Sequence, residues 1–440
     1  WTGQAIGFHE AENYGELLFC GYGTAWQARA GLPAGRRFSR QTFEDAVGRH
    51  SIPAETVTHG PFLSHPATGG ITVTWATAGM TGAVLEYREA GEPSWRQQPV
   101  GAENGILRRN SRLHAAHLAG LKPGTGYEYR LVNLSPVLAR RSVRPRKGRP
   151  FTFRTFDPAR EDFTFAACSD IHSDVLTLGK LMRLPGVART DFFVDLGDML
   201  SHMSGPQSMF DGYLDLQAAR YARSRPLVFV RGNHEQVGLF GADYFDVLGH
   251  PSERSYYAFR QGHVCFLALD AGNDHADDEA GVFRNAAMIA GEREWLLRTV
   301  DSEMFRTARF RVAFLHMPPY DDRYASRAAL SLVDGVFDRH PLHLMVSGHV
   351  HHYFRMDPFS GACATACPPP SMRHTPVLPF TVVANDCRTV VLVTCRPRAL
   401  EVRVVDAEGK TVDCLTLRRR PARAPRIAAR ARAGSHRRSG

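Results

Sequence analysis

This sequence predicts a layered α/β domain behind a small antiparallel β-sandwich, and three observations predict it. Residues 56–157 run in short alternating segments separated by turns, the pattern of half-buried strands. After Asp157-Pro158 the texture changes to apolar runs alternating with helical periods, which argues stacked sheets and helices. Acidic, amide and histidine side chains then follow five of those apolar runs, and in open α/β sheets ligands bind in the crevice at the carboxyl ends of the strands.

With 440 residues, 43% of them hydrophobic, the chain has enough apolar material for two domains and a sizeable core. Its net charge of +10 suggests nucleic acid until the charge is located. Residues 418–440 hold nine arginines and no acid, which leaves about +1 for everything before them. The folded body is therefore not a basic surface, and the tail reads as a disordered, solvated segment, the one place where nucleic acid or an anionic surface would be met. Eight scattered cysteines give no disulfide scaffold and no C-x-x-C pair. Cys168 and Cys265 lie in apolar runs and read as buried, while Cys363 with Cys367, or Cys387 with Cys414, are the pairings open to an oxidising compartment. No apolar run approaches the ~20 residues of a membrane span. The chain begins at Trp1, without methionine or a signal-like apolar stretch, which suggests a processed or trimmed product.

Residues 1–55 show no clear period and form an N-terminal extension. In 56–157 the segments Ile71-Thr-Val-Thr-Trp75, residues 83–88, residues 127–132 and residues 151–155 read as strands. Leu121-Lys-Pro-Gly-Thr-Gly-Tyr127 resembles the corner of fibronectin type III domains, where a tyrosine hydroxyl bonds back to the backbone. Such a module shields or spaces an active site, or only packs.

Within 158–417, strands are predicted at 163–168, 191–196, 226–231, 263–269, 310–315 and 342–347, and helices at 174–184, 206–224, 291–305 and 327–339. Further strands over 377–417, with a closing hairpin near Lys410, are expected to finish a second sheet. Residues 418–440 are the basic tail.

Five polar clusters end the strands: Asp170-Ile-His172, Gly197-Asp198, Gly232-Asn-His-Glu235, His316-Met-Pro-Pro-Tyr320 and Gly348-His-Val-His351. Singly, each is weak, because a histidine after an apolar run is more often a hydrogen-bonded loop residue than a ligand. Together, each directly after a strand, they are hard to obtain by chance. Carboxylate, imidazole and amide donors suit borderline divalent metals such as Mn, Fe and Zn, and a carboxylate can bridge two of them. Two ions ~3.5–4 Å apart activate water and clamp the attacking and leaving oxygens of a phosphoester.

The set D-x-H, G-D, G-N-H-E, H and G-H-x-H resembles the calcineurin-like metallophosphoesterase superfamily over residues 163 to about 355. With His316-Met-Pro-Pro-Tyr320, the run Gly348-His-Val-His-His-Tyr-Phe-Arg355 and the fibronectin-like module in front, it is similar to the purple acid phosphatase branch. The resemblance implies a four-layer αββα sandwich and two divalent ions. Asp170, His172 and His351 would hold one, Asn233, His316 and His349 the other, and Asp198 would bridge them. It also implies that His234 contacts phosphate and either stabilises transition-state charge or protonates the leaving alcohol.

Glu235 reads as a structural hydrogen-bonder. Asp270 and His202 are candidate orienting residues, and His352 is expected to face away. Two positions depart from the purple branch, which has glycine where His172 stands and an iron-binding tyrosine where Ser201 stands. That predicts a colourless protein holding Mn, Zn or Fe(II).

Loops 199–212, 236–256 and 271–290 are expected to frame the mouth, with Tyr244, Phe245, Tyr256 and Tyr257 packing in the core rather than stacking on substrate. The function predicted is metal-dependent hydrolysis of phosphate esters, with mono- and diesters both open. The alternative, a non-catalytic surface or binding protein on the same scaffold, would be marked by lost ligands, and all seven are present. The resemblance and the absent methionine together suggest a secreted or periplasmic protein; oligomeric state is not legible.

Overall fold

The computed structural model describes residues 53–134, 145–252, 254–277, 283–320, 324–360, 363–365 and 377–418. The basic tail and nearly all of the N-terminal extension lie outside them, as does Cys367. Cys387 and Cys414, the other suggested pair, carry free thiols.

Two sheets stack face to face. In the first, Phe163–Cys168, Phe192–Asp195 and Leu227–Phe229 run parallel, with Phe165 opposite Phe192 and Phe193 opposite Leu227. The second has the order Tyr257–Gln261, Val264–Leu269, Phe310–Leu315, Leu344–Ser347, Thr381–Ala384, Phe354–Met356. Strands this apolar have two faces to bury, and both are covered. Phenylalanines fill the space between the sheets: Phe266 meets Phe165 edge-on at 5.5 Å and stacks on Phe314 at 5.8 Å, the offset and T-shaped geometries that aromatic quadrupoles favour.

Outside the first sheet, Leu178 and Leu181 of the helix Val175–Leu181 and the apolar side of the helical stretch 206–222 form another core. Outside the second, Ile289, Leu296 and Val300 of Asn285–Val300 pack with Leu332 of Tyr324–Val333. The expected αββα layering is the observed one. The helix predicted over 291–305 is two pieces, because Ser302 caps a separate turn, Glu303–Arg306, by accepting from Phe305 N.

The last strands depart from expectation. Only Thr381–Ala384 enters the second sheet; Thr389–Arg396, Ala399–Asp406 and Thr411–Arg418 form an antiparallel meander on the first, beginning where Phe165 pairs with Val393. Alternating residues of Thr389–Arg396 supply both the inter-sheet core (Val391, Val393, Cys395) and the outer one (Val390, Leu392). That places the strand as an interior member of a two-faced sheet.

The β-sandwich also differs in one element. The two segments Ile71–Trp75 and 83–88 are a single strand, Gly70–Glu89, whose register shifts between Ala76 and Thr81. Its first half pairs with Ser111–Leu118 and its second with Gly126–Leu134, so it turns the corner between layers by irregularity rather than by a loop. The corner tyrosine behaves as expected, Tyr127 Oη accepting from Lys122 N at 2.9 Å.

The sandwich is not a tethered spacer. Its first strand, Val57–Ala67, pairs in parallel with Leu227–Phe229, Ser64 opposite Leu227, and Phe62 of that strand is fully buried in the core behind the first sheet.

Candidate metal centre

Each predicted polar cluster follows the strand expected to carry it, and the five loops converge at one end of the stacked sheets. Asp170, His172, Asp198, His349 and His351 all have positive φ, between 47° and 70°. L-residues pay to occupy that region, and such strain gathers where the surroundings over-determine a functional geometry. The turns bring the ligand side chains back over the strand ends.

Three glycines make room for this crowding. A Cβ at Gly232 would stand 2.2 Å from Asp198 Oδ1, one at Gly348 2.5 Å from Asp170 Oδ2, and one at Gly197 2.5 Å from His316 Nδ1. Gly197 also has φ of 86°. The glycine of each G-D, G-N-H and G-H motif is thus the floor on which a neighbouring strand's ligand lies.

The donor atoms form two groups that share one residue: Asp170, His172, Asp198 and His351, and Asp198, His316 and His349. Within them His172 Nε2 and His351 Nε2 are 3.0 Å apart, His351 Nε2 and Asp170 Oδ1 3.4 Å, and His316 Nε2 and Asp198 Oδ2 3.2 Å. Asn233 Oδ1 joins the second group at 3.0 Å from His349 Nδ1. Donors held at about 2.0–2.2 Å from a common ion stand roughly 3.0–3.5 Å from one another, so these spacings fit first-row divalent cations.

His316 supplies a further test of fit. In the neutral ring its Nδ1 donates to Leu196 O at 2.8 Å and Nε2 keeps the lone pair, buried and 3.2 Å from Asp198 Oδ2. A metal is the natural partner of a histidine oriented this way.

The electrostatics point the same way. Burial works against charge on His316, yet the Asp198 and Asp170 carboxylates raise its pKa above the ordinary imidazole value. Burial likewise opposes ionisation of Asp198, but His316 and the His234 backbone N–H hold its carboxyl below the usual range. Buried carboxylates surrounded by imidazoles demand positive charge.

Glu235 is structural, as predicted. Fully buried, its carboxylate accepts from Asp198 N at 2.9 Å and Gly232 N at 2.8 Å through Oε2, and from Met199 N at 2.8 Å through Oε1. It ties the G-D loop to the G-N-H loop. His234 leaves the ligand cluster: its Nδ1 donates to Ser201 O at 2.9 Å, and its part-exposed Nε2 stands 3.9 Å from Asp198 Oδ2. Asp170 receives the His349 N–H on both oxygens at 3.0 Å.

Asp270 touches no ligand; it pairs with Arg231 at 2.7 Å and so braces the residue before Gly232. His202 is exposed and meets the His234 ring edge-on at 6.4 Å. His352 is exposed, in line with its expected outward placement. Tyr244 is fully buried and Tyr257 bonds the backbone of Phe229, so both belong to the core.

Residues that the motifs did not single out are the carbonyls of Leu196 and Ser201, which orient His316 and His234. A backbone acceptor carries no side-chain signature, so nothing in the sequence marks them.

Two stacked sheets holding a carboxylate, amide and imidazole cluster at their carboxyl ends define the class: an αββα protein with a candidate metal centre at the strand ends. Residues 163–353 match the calcineurin-like phosphoesterase family, and residues 60–155 match the N-terminal domain of purple acid phosphatases. The chain thus carries a calcineurin-like metallophosphoesterase domain behind a purple acid phosphatase N-terminal domain.

It is 26% identical over 277 residues to purple acid phosphatase 21 of Arabidopsis thaliana, an alignment covering 59% of this chain and 57% of that protein. The chain therefore spans little more than half the length of that relative. Its fold is similar to purple acid phosphatase PPD1 from yellow lupin, with a TM-score of 0.59 at 14% identity over 81% of this chain and 73% of that one. It is also similar to the structure of PhoD, with a TM-score of 0.55 at 13% identity over 83% and 93%.

Proposed function

We propose that this protein hydrolyses phosphate esters at a site holding two divalent metal ions. The observation that carries the reading is the sharing of Asp198 between two adjacent donor groups, the arrangement a bridging carboxylate requires. Asp170, His172 and His351 would hold one ion, Asn233, His316 and His349 the other, and Asp198 would stand between. Two bound ions supply Lewis acidity to the phosphoryl oxygens and lower the pKa of the attacking water.

The chain's own part in the reaction follows from the bonds described. Glu235 holds the backbone of Asp198 and Gly232 makes room for its carboxylate, while Gly348 and Gly197 do the same for Asp170 and His316, so the site needs little rearrangement as charge develops. Ser201 O fixes the His234 tautomer by accepting from Nδ1. In the imidazolium form, Nε2 is the remaining donor, and it faces the metal cluster. His234 is thereby placed to give its proton to the departing oxygen of the ester.

With serine at 201 in place of the iron-binding tyrosine, the iron-loaded protein is expected to be colourless and Mn, Zn or Fe(II) are the ions proposed. Among the described residues no helix is long and apolar enough to cross a membrane.

Turnover of an aryl phosphate and an aryl phosphodiester by the purified chain tests the reading. Hydrolysis of at least one is expected, lost on chelation and restored by Mn, Zn or Fe. Metal uptake without turnover of either would favour a non-catalytic scaffold.

A further inference from the structure

The mouth of the site carries an unusual pair of surfaces. Among the described residues eleven large hydrophobic side chains are more than a third exposed, and four of these, Val175, Leu176, Leu239 and Phe240, lie within six residues of His172 or His234. Single exposed apolar residues are ordinary, but these form two pairs in the chain, each beginning a few residues after a histidine of the site. Leu176 is 78% exposed and Leu239 94%. The two histidines they follow are neighbours, their rings meeting edge-on at 4.7 Å, so both apolar segments begin beside the candidate metal centre.

Both segments are built into the site. Val175 and Leu176 begin a helix capped by Asp174, whose Oδ1 accepts from Leu176 N and Thr177 N at 3.0 Å. The preceding turn is pinned to the bridging loop by His172 N to Asp198 O at 3.0 Å and Ser173 N to Met199 O at 2.9 Å. On the other side, Val237 N bonds His234 O at 3.1 Å, Met203 N bonds Val237 O at 2.7 Å and Phe240 N bonds Met203 O at 3.1 Å. Gly238 allows this turn: its φ is 109°, and a Cβ there would stand 2.5 Å from Met203 O. Leu239 is therefore held outward by a rigid lip that begins at His234.

We infer that these two apolar ledges, Val175-Leu176 and Leu239-Phe240, seat the leaving group of the substrate, and that the preferred esters carry an apolar aryl or alkyl group rather than a small polar alcohol. The inference rests on the phosphoesterase reading. His234 supplies the proton to the leaving oxygen, so a group attached to that oxygen extends past His234 towards the lip. Apolar contacts beyond the reacting atoms hold the ester in line, and preformed ledges bind without an ordering cost.

A series of 4-alkylphenyl phosphates, methyl to hexyl, tests this on the manganese-loaded full chain, because the leaving-group pKa stays constant while apolar length grows. The kcat/KM ratio of hexyl to methyl is expected to be about tenfold or more, since each methylene buried in an apolar contact contributes a few-fold at most. In the double variant Leu176→Ser/Leu239→Ser the ratio is expected to fall to about one, and in Leu176→Met/Leu239→Met it is expected to persist. Calorimetric binding of 4-hexylbenzylphosphonate against 4-methylbenzylphosphonate should follow the same pattern without turnover.

A flat series in the wild-type chain with ready turnover overturns the ledges alone, as does a slope that survives the serine variant. Vesicle binding that is lost in the serine variant, alongside a flat series, would assign the ledges to a lipid surface instead. No turnover of any member, methyl included, would overturn the phosphoesterase reading and this inference with it.

Discussion

Replacing His234 by alanine is expected to lower kcat about 10²–10⁴-fold, the range a positioned proton donor contributes, while the metal content stays at the wild-type value. The two halves of that result follow from the geometry. His234 Nε2 stands 3.9 Å from the nearest Asp198 oxygen and belongs to neither donor group, so its loss removes no assigned ligand. What goes is an imidazole whose Nδ1 is fixed by Ser201 O and whose part-exposed Nε2 would carry the proton for the leaving oxygen.

The loss should depend on the ester. A 4-nitrophenyl leaving group departs without a proton and should lose least, whereas an alkyl ester should lose most. Measuring kcat for both in the variant, alongside elemental analysis, separates a proton donor from a brace for Asn233. A uniform fall accompanied by loss of metal would mean that His234 acts only by holding its neighbour.

Asp198→Asn is expected to cost more, on the order of 10³-fold or beyond, because removing an outer partner already costs 10–100-fold and Asp198 belongs to both donor groups. Its stability consequence has the same sign. Burial opposes the charge, but His316 and the His234 N–H more than offset it and hold the carboxyl below its usual range, so the folded metal-free chain favours the ionised form. An amide keeps the bond from His234 N to Oδ1 but leaves the buried His316 without its counter-charge, and removing one partner of a buried pair is destabilising. The metal-free variant should therefore melt below the metal-free wild type, while wild type alone gains stability on metal addition. Thermal melts with and without manganese read both effects, and a variant that still gains like wild type would deny Asp198 its bridging place.

The site was legible because its chemistry resides in side-chain identity at strand ends. Asp170, His172, Asp198, His316, His349 and His351 could be placed from apolar runs that end abruptly in acid or imidazole, and the structure brings all of them into two adjoining groups. Glu235 reads as a structural hydrogen-bonder, and the structure gives its carboxylate three backbone donors, Asp198 N, Gly232 N and Met199 N.

The long-range pairings were not legible. Nothing local says that Ser64 will lie beside Leu227, or that Thr389–Arg396 will pair with Phe163–Cys168 rather than extend the second sheet. An apolar strand with two faces to bury fits the interior of either sheet, so the local sequence does not decide the pairing. Gly70–Glu89 misled for a related reason: Ala78-Gly79 reads as a turn, whereas the chain there only shifts register and continues. The mouth is expected in loops 199–212, 236–256 and 271–290; Leu239 falls within the second, whereas Leu176 lies outside all three, and the exposure of either is a property of the folded surface, not of sequence pattern.

The most direct test of the central claim is the stoichiometry of activation: metal-free chain titrated with manganese while bound ions per chain and aryl phosphate turnover are followed together. Two ions per chain are predicted, with turnover completed only as the second binds. Full activity at one ion per chain, or turnover in the metal-free chain, would contradict a two-metal site bridged by Asp198.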